Sequence, residues 1–335
     1  MMKTPVKKVL TVAVPMYQAQ QYIKKCLESF LIKEIEQKIE ILAVDDGSFD
    51  RTAAIAKQYA SKYPHLIRYI RKENGGHGSA VNTALRCADS RYFMVVDADD
   101  WVRQEDFREL VMQLEKLDVD LAVSHYVRVK GAQETLVDTK APLYGTVVPF
   151  ANLRTAGGCF ALPSICYRTK MLKDGEIFLP EHSYYDDLVY MTKPMWEVQT
   201  VVFFDLAPYQ YRVGIAAQST SKKHMADNAM QHRKMVCRLF SDYNSNKESA
   251  QKQYIRTVVC KAFEDHYFIF LQCEPDFRLA AVRLKQADAF LQKKDAGMYE
   301  ELSRKIRFLK LLRKSGYLLL PIYRCCIMIK GESRR

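Results

Sequence analysis

The chain has 335 residues, of which 48% are hydrophobic and 27% are charged, and its formal net charge at pH 7 is +12. This length and apolar content can fill the core of one large domain or two modest ones, which argues against a disordered chain. Its nine cysteines are scattered without a pair at zinc-ligand spacing, which argues against a zinc site and indicates reduced thiols in the cytosol.

The first element is an apolar run at residues 9–14, preceded by Lys3, Lys7 and Lys8. Basic residues ahead of an apolar run are typical of a secretion signal, but this run is too short and too rich in β-branched residues for that role. It predicts a first, buried strand. No stretch of the sequence approaches the roughly 20 apolar residues that a membrane-spanning helix needs.

Up to about Trp101, short β-branched runs alternate with helical patterns. Strands are predicted at residues 9–14, 39–44, 66–70 and 92–96, and helices at residues 22–30, 52–61 and 79–88. This alternation predicts an α/β fold with a mostly parallel sheet and helices on its faces. Ligands bind such sheets outside the carboxyl ends of the strands, so the residues that follow each strand are the candidates for chemistry.

The turn after the second predicted strand contains Asp45, Asp46, Gly47 and Ser48. A plain strand-to-helix turn, with Gly47 in a tight bend and Ser48 or Asp50 as helix cap, explains most of this pattern. The second acid is more than a cap requires. A carboxylate at this edge can instead accept the imide N–H of a uracil.

The turn after the third predicted strand contains Asn74, Gly75 and Gly76, followed by His77. The glycines let the backbone approach a ligand closely, and the next helix directs its N-terminus at that ligand. The glycine spacing does not match the dinucleotide-binding pattern. A histidine in such a loop is more often a partner in a local hydrogen bond than a catalyst.

The turn after the fourth predicted strand is the most informative, because Asp97, Asp99 and Asp100 lie within four residues. Three adjacent carboxylates repel one another unless a cation offsets their charge. A hard divalent ion binds carboxylates and substrate phosphates together, which predicts a metal site for a diphosphate ligand. Alternatively, Asp99 or Asp100 caps the helix that begins near residue 104, although a cap uses only one acid.

The region from about residue 105 to residue 214 mixes strands with polar loops, and we expect it to shape an acceptor site. In it, Tyr184 and Tyr185 precede Asp186 and Asp187. Aromatic surroundings raise the pKa of a carboxyl group, and a base near neutrality contributes roughly 10²- to 10⁴-fold to a rate. These acids could equally cap a helix over residues 188–195.

Two basic features follow. Arg212, with the polar residues 218–221, could bind phosphate or lie in a solvated loop.

From residue 283 onward there are 14 basic residues and only five acidic ones, so this C-terminal tail carries nine of the twelve net charges. Within it, residues 302–329 interleave basic and apolar side chains. Such a segment either lies on an anionic membrane or packs as a terminal helix, and Arg313 interrupts its apolar stripe.

Together and in this order, the motifs resemble those of the family 2 glycosyltransferases, whose catalytic domain has the GT-A fold. The resemblance covers about residues 8–221 and is strongest up to Trp101. It implies an α/β, Rossmann-like GT-A domain over residues 1–220, with a nucleotide-binding half at 1–101 and an acceptor half at 102–220. A basic, helical region would follow at 221–335.

The resemblance also implies residue roles. Pro15 and Tyr17 would line the base pocket, and Asp46 would bind uracil with Asp45 nearby. Asp99 would hold Mn²⁺ or Mg²⁺ against the diphosphate, and Asp187 would be the catalytic base. The implied nucleotide-sugar-binding residues are Pro15, Tyr17, Asp45, Asp46, Asn74, Gly75, Gly76 and Asp97.

The implied reaction is transfer of one sugar from a UDP-sugar to a saccharide or lipid-linked acceptor, with inversion, in cell-surface polymer synthesis. Single transfer is expected because the Gln-x-x-Arg-Trp element of processive synthases is absent. Two residues depart from the family pattern: Gln18 replaces the usual Asn, and Asp186 replaces the usual Glu. The expected location is the cytoplasm, with peripheral contact of residues 302–335 with the inner face of the membrane.

Two other classes compete. A nucleotidyltransferase also uses acids and a metal, but it usually has a basic, glycine-rich loop after its first strand, where this chain has Pro15, Met16 and Tyr17. A non-catalytic protein that binds lipid or nucleic acid would bind phosphates through the basic tail. We expect no nucleic-acid partner, because the charge is concentrated in the tail.

Overall fold

A computed structural model of the protein describes residues 8–141, 143–153, 159–215, 218 and 221–329. The chain divides into two compact units, of which the first comprises residues 1–214 and 246–255 and the second comprises residues 215–245 and 256–335. The functional division at residue 220 stays a prediction. No helix within the described residues is long and apolar enough to cross a lipid bilayer.

The first unit contains one mixed sheet. Its described strands are β1 (Leu10–Met16), β2 (Ile39–Asp45), β3 (Ile67–Arg71), β4 (Tyr92–Val95), β5 (Trp101–Val102), β6 (Leu121–Lys130), β7 (Gln133–Val137), β8 (Val148–Pro149), β9 (Ile165–Arg168) and β10 (Thr200–Arg212). Their order is β3-β2-β1-β4-β9-β6-β10-β5, with β7 beside β6 and β8 beside β10. The first four strands are parallel, as predicted, and β9 lies antiparallel between β4 and β6.

Helices alternate with the strands and then dominate the C-terminal region. They are α1 (Ile23–Ser29), α2 (Thr52–Lys62), α3 (His77–Cys87), α4 (Gln104–Glu115), α5 (Thr169–Asp174), α6 (Asp187–Tyr190), α7 (Lys222–Asp227), α8 (Ala229–Ser245), α9 (Ala250–Phe268), α10 (Phe277–Lys294), α11 (Ala296–Lys305), α12 (Leu309–Lys314) and α13 (Leu320–Ile329). The predicted fold class, an α/β sheet domain with a helical C-terminal region, is confirmed.

Parallel pairing brings the chemically informative turns to one edge of the sheet. All seven residues of β1 are buried, which fits their apolar and β-branched composition. Met16 at the end of β1 pairs with Asp45 of β2, and Asp45 pairs with Arg71 of β3. The turns that follow these strands therefore open side by side, where ligands of parallel sheets bind.

The helix predicted over residues 188–195 is shorter than expected. The structure has the one-turn helix α6 and then a 3₁₀ turn at Pro194–Trp196. Pro194 has no backbone N–H to donate to the preceding turn, so an α-helix does not continue through it.

In the second unit, α12 contributes a buried arginine to a polar network. The Arg313 Nε donates to Asp288 Oδ1 over 2.8 Å, and another guanidinium nitrogen donates to the Tyr267 hydroxyl over 2.9 Å. The Tyr317 hydroxyl donates to Asp288 Oδ2 over 2.7 Å. This network explains why a basic residue interrupts the apolar stripe of the tail, because Arg313 lies inside the second unit.

We expect Arg313→Met to destabilise the second unit by about 3–5 kcal/mol, because it leaves the Asp288 carboxylate buried without its cation. Hydrogen exchange of the α10 backbone amides would measure this loss locally. Lys310→Met is the control, since this exposed residue of the same helix should change stability by less than about 0.5 kcal/mol. Equal losses in the two variants would contradict a stabilising role for the network.

Candidate active site

Asp46 is buried and bound to the glycine loop, which comprises residues 74–78. Its Oδ1 accepts the Gly75 N–H over 2.9 Å and the Lys72 ammonium over 2.8 Å, and its Oδ2 accepts the Gly76 N–H over 2.7 Å. Gly76 has a φ of +88°, which disfavours residues with a side chain. A carboxylate offers about four lone-pair sites, so three bonds leave room for one more donor. Binding of a uracil by Asp46 stays a prediction.

Asp45 is fully buried and holds the turn after β2. Its Oδ1 accepts the Ser48 N–H over 2.9 Å, and its Oδ2 accepts the Tyr69 hydroxyl over 2.8 Å. The Arg71 guanidinium donates to the same Oδ2 over 3.2 Å. Asp45 therefore shapes the turn, and its place beside a bound nucleotide stays a prediction. The N-cap of α2 is Arg51, without a side-chain cap bond, so neither Ser48 nor Asp50 is the N-cap residue; Asp50 Oδ1 accepts the Thr52 N–H at the start of the helix.

An exposed aromatic pair lies where the turns after β1 and β2 meet. Tyr17 is 49% exposed and Phe49 is 78% exposed, and their rings pack edge to face with centroids 6.3 Å apart. The sequence drew attention to Tyr17, with Pro15 in β1, but not to Phe49. Exposed rings of this kind offer a flat surface to a nucleobase.

Gln18, which departs from the family pattern, lies in a turn with a left-handed backbone. Its φ is +53°, a left-handed conformation in which Asn is several-fold enriched, and its N–H donates to the Ser48 hydroxyl over 3.1 Å. The turn keeps this conformation with Gln in place of Asn.

The acidic turn after β4 is compact. Asp97, Asp99 and Asp100 place one carboxylate oxygen each within 4.8 Å of one another. Asp100 is buried, and it accepts the Tyr209 hydroxyl over 2.6 Å and the Arg212 N–H over 2.7 Å. Burial and then the charges of Asp97 and Asp99 raise its pKa well above the usual value. Asp100 is thus tied to β10, whereas Asp97 and Asp99 are only partly buried.

The capping interpretation of Asp99 and Asp100 is wrong. Helix α4 begins at Gln104, and its N-cap is Arg103, which makes no side-chain cap bond. The carboxylates of Asp97 and Asp99 therefore have no role in starting this helix. These are hard oxygen donors of the type that Mg²⁺ and Mn²⁺ prefer, so the residues present fit a divalent ion.

Arg212 lies at the same turn. Its Nε donates to the Asp99 backbone oxygen over 2.7 Å, and its guanidinium carbon lies 4.8 Å from the centroid of Trp101 and 5.0 Å from that of Tyr22. Ser219 and Thr220, which the sequence analysis grouped with Arg212, lie outside the described residues. Phosphate binding by this group stays a prediction.

His77 connects two acidic segments. Its Nδ1 lies 2.7 Å from Asp186 Oδ2, and its Nε2 lies 3.1 Å from Asp97 Oδ1. Burial lowers the pKa of the imidazole, but the charges and hydrogen bonds of Asp186 and Asp97 outweigh it and raise the pKa well above the usual value. Sequence reasoning assigned no such role to His77, because its partners are 109 and 20 residues away.

Asp187 is the first residue of α6. Burial and then the charge of Asp186 raise the pKa of its carboxyl group to about 6, although His77 opposes this shift. Asp186 occupies the N-cap position without a side-chain cap bond, since its carboxylate contacts His77 instead. The capping interpretation therefore fails for Asp186, and Asp187 has the pKa of a base that works near neutrality. Its catalytic role stays a prediction.

Close packing holds the glycine loop against the segment before Asp187. The Asn82 amide donates to the Leu179 oxygen over 2.9 Å and accepts the Leu179 N–H over 2.8 Å. The His182 N–H donates to the Gly75 oxygen over 2.6 Å. A Cβ added at Gly78 would lie 2.5 Å from the Pro180 oxygen, so only glycine fits there. The loop that binds Asp46 thus also supports the acids near α6.

Comparison with known families gives one match within the sheet domain. Residues 11–172 match the family described as Glycosyl transferase family 2. This range includes Asp46, the glycine loop and the acidic turn, and it ends before Asp187.

Two curated proteins illustrate the sequence similarity. The chain is 38% identical to the glycosyltransferase GlyA of Streptococcus pneumoniae over 117 residues, which are 35% of this chain and 16% of GlyA. It is 27% identical to the poly(ribitol-phosphate) beta-N-acetylglucosaminyltransferase TarS of Staphylococcus aureus over 173 residues, which are 51% of this chain and 29% of TarS. The chain therefore spans less than a third of the length of either relative.

Solved structures share the fold over nearly the whole chain. Residues 1–349 of S. aureus TarS, in complex with UDP-GlcNAc, match with a TM-score of 0.68 and 21% identity, over 98% of this chain and 93% of that chain. A mannosyltransferase of Pyrobaculum calidifontis, in complex with GDP-Man and Mn²⁺, matches with a TM-score of 0.54 and 16% identity, over 98% of this chain and 89% of that one. At these identities the likeness shows the fold alone, and it confirms the GT-A fold.

Proposed function

We propose that this protein, whose residues 11–172 match the family described as Glycosyl transferase family 2, transfers one sugar from a UDP-sugar to an acceptor hydroxyl. We further propose that the transfer inverts the anomeric centre and belongs to the synthesis of a cell-surface polymer. The chain spans only part of its curated relatives, so the activity of the whole protein is part of this proposal.

One observation supports the proposal most directly. The glycine loop binds Asp46 through the backbone of Gly75 and Gly76, and through His77 it also contacts Asp97 and Asp186. A single short segment thus contacts Asp46, which is proposed to bind the uracil, and Asp97 in the acidic turn. It also contacts Asp186, the residue before the proposed catalytic base. A sugar transferase needs its donor and the base that deprotonates the acceptor in one site, and this arrangement is consistent with that need.

In the proposed donor site, Tyr17 and Phe49 offer rings to the uracil, and Asp46 has room for the imide N–H. The α3 helix begins at His77, so its N-terminus lies at this loop, where the helix dipole favours the negative charge of a diphosphate. Pro15, Asp45, Asn74 and Gly75 support the turns that line this site.

Asp97 and Asp99 are the residues that would hold a divalent ion, Mn²⁺ or Mg²⁺. Such an ion, when bound, stabilises negative charge on the diphosphate of the leaving group. The Mn²⁺ in the related mannosyltransferase structure supports this choice of metals. Asp187, with a pKa of about 6, would accept the proton of the acceptor hydroxyl as the oxygen attacks the anomeric carbon.

The relatives suggest where to look for substrates. TarS is named for transfer of N-acetylglucosamine to poly(ribitol-phosphate), and its structure contains UDP-GlcNAc. We therefore propose UDP-GlcNAc as the first donor to test, and a saccharide or a lipid-linked wall polymer as the class of acceptor.

The direct test is release of UDP from a panel of UDP-sugars, measured with Mn²⁺ and with candidate acceptors. A glycosyltransferase releases UDP in amounts that match the sugar transferred. A nucleotidyltransferase would instead release pyrophosphate from a nucleoside triphosphate, and a protein that only binds lipid or nucleic acid would release neither. Either of the last two results would overturn the proposal.

We also propose that the tail helices contact an anionic membrane, which would place the protein at the inner face of the cell membrane. Part of the tail packs inside the second unit, since Leu309, Leu312 and Leu320 are buried. Other apolar side chains are exposed: Phe308, Leu311, Leu318 and Ile322. Exposed basic residues accompany them: Arg304, Lys305, Arg307, Lys310 and Lys314. This mixture of apolar and basic groups complements an anionic bilayer surface. The last residues of the tail, 330–335, lie outside the described residues.

Replacing both Lys310 and Lys314 with Gln is expected to weaken binding to anionic vesicles roughly 30-fold, since each basic residue contributes about 1 kcal/mol. Substitution is the sharper test, because deleting the tail would also remove the buried Leu309 and Arg313. Exchange of the exposed Lys33 and Lys62 of the first unit for Gln is the matched control. Co-sedimentation with vesicles at low and at high salt measures the binding of the two variants. Binding that changes neither with salt nor in the tail variant would refute membrane contact.

A further inference from the structure

His77 lies between segments that are far apart in the sequence. Asp186, on its Nδ1 side, is buried and immediately precedes the proposed base. Asp97, on its Nε2 side, belongs to the acidic turn. The imidazole is planar and rigid, so two carboxylates bound to its two nitrogens are held at a fixed separation and angle.

The backbone around His77 is built for this close approach. Gly76 adopts a φ of +88°, and a Cβ at Gly78 would lie 2.9 Å from Asp186 Oδ2. Glycine on both sides of His77 therefore lets the loop come near enough for the ring to reach both acids. The first turn of α3 fixes the backbone of His77 itself.

We propose that His77 is a positioning residue that holds the acidic turn and the segment of the catalytic acid in one arrangement, by bridging Asp97 and Asp186. This inference rests on the proposed glycosyl transfer and adds a residue to it. His77 acts through its two partners. Without the bridge, Asp186 and the adjoining Asp187 would shift relative to Asp97, and a displacement of about 1 Å in such a site can cost about 10²-fold in rate.

The first experiment is independent of activity. In the full-length protein with ¹⁵N-labelled histidine, the ring nitrogen signals of His77 are assigned by their loss in His77→Gln. We expect Asp186→Asn to shift the Nδ1 signal and Asp97→Asn to shift the Nε2 signal, because each acid accepts from a different nitrogen. The signals of His65, which pairs with Glu36, should not move in these variants. If neither substitution changes the chemical shifts of the His77 ring nitrogens, the proposal is overturned.

The second experiment measures the consequence for turnover. We expect His77→Ala to lower kcat by about 10- to 100-fold while UDP affinity, measured by calorimetry, changes by less than about threefold. The His77 side chain is about one-third exposed, so added imidazole can enter the space it leaves, and we expect imidazole to restore a part of kcat. His65→Ala is the matched control, because it also removes an imidazole paired with a carboxylate, ahead of β3 and away from the carboxyl ends of the strands.

The outcomes separate this inference from the proposed function. If the unaltered protein turns over no donor, the proposed function fails, while the ring signals still report on the bridge. If His77→Ala keeps full turnover, the positioning role is refuted. If His77→Ala and His77→Gln both lose turnover together with thermal stability, and imidazole restores neither variant, then His77 serves only the fold and the proposal is also overturned.

Discussion

Replacement of Asp187 by Asn is expected to lower turnover by roughly two to four orders of magnitude, the usual contribution of a general base. Asn has the same shape but cannot accept a proton from the acceptor hydroxyl. Donor affinity should stay nearly intact, because the pocket proposed for the nucleotide lies at the strand ends that carry Tyr17 and Asp46. Steady-state kinetics with calorimetric titration of UDP would separate the two effects.

Asp186→Asn is the matched comparison, since it makes the same chemical change one residue earlier. Asp186 contacts His77 over 2.7 Å, so we expect it to act through position and to cost less turnover than Asp187→Asn. A large loss from Asp186→Asn with little from Asp187→Asn would mean that the wrong acid of the pair was chosen. Unchanged turnover in both variants would remove the α6 segment from the active site.

The pH profile follows from the same carboxyl group. Burial and the charge of Asp186 raise the pKa of Asp187 to about 6, and the base works only in its deprotonated form. Turnover should therefore fall as the pH drops through about 6 and reach a plateau above it. A turnover that stays constant from about pH 5 to about pH 8 would contradict a base with this pKa.

Removal of divalent metal is expected to abolish transfer, and Asp99→Asn should weaken metal-dependent UDP binding by at least about 100-fold. We expect a loss of this size because removing a residue that only contacts a metal ligand already lowers metal affinity about 10- to 100-fold, and Asp99 is proposed to bind the ion directly. The physical reason is that the acidic turn offers its carboxylates to the ion that would join Asp99 to the diphosphate. Calorimetry with UDP, with and without Mn²⁺ and after EDTA, measures this directly.

Asp89→Asn is the control for the metal experiment. Asp89 is an exposed acid at the amino end of β4, the same strand whose carboxyl end leads into the acidic turn. It should leave both metal-dependent binding and turnover unchanged. Full activity of Asp99→Asn, or UDP binding that is equally tight in EDTA, would refute the metal site.

The amino-acid pattern was enough to predict the parallel part of the sheet and the strand ends at which the candidate groups lie. Buried parallel strands need continuous apolar, β-branched residues, and these runs stand out at β1, β2 and β4. A strand also ends where polar and glycine residues begin, so Asp46, Gly76 and Asp97 could be assigned to strand ends without coordinates. The common direction of parallel strands then implied that these residues share one edge.

The contacts among these groups could be read only from the folded chain. The residue pattern showed Asp97, Asp99 and Asp100 only as one acidic cluster, but Asp100 is bound by Tyr209 and the Arg212 backbone, far along the chain. The same pattern left open whether Asp186 caps a helix, and the structure shows its carboxylate against His77, without a side-chain cap bond. Such contacts join residues about a hundred positions apart, and their geometry depends on how the intervening strands pack. Local pattern specifies the strand and helix in which a residue lies, whereas burial and partner choice arise only when distant elements come together.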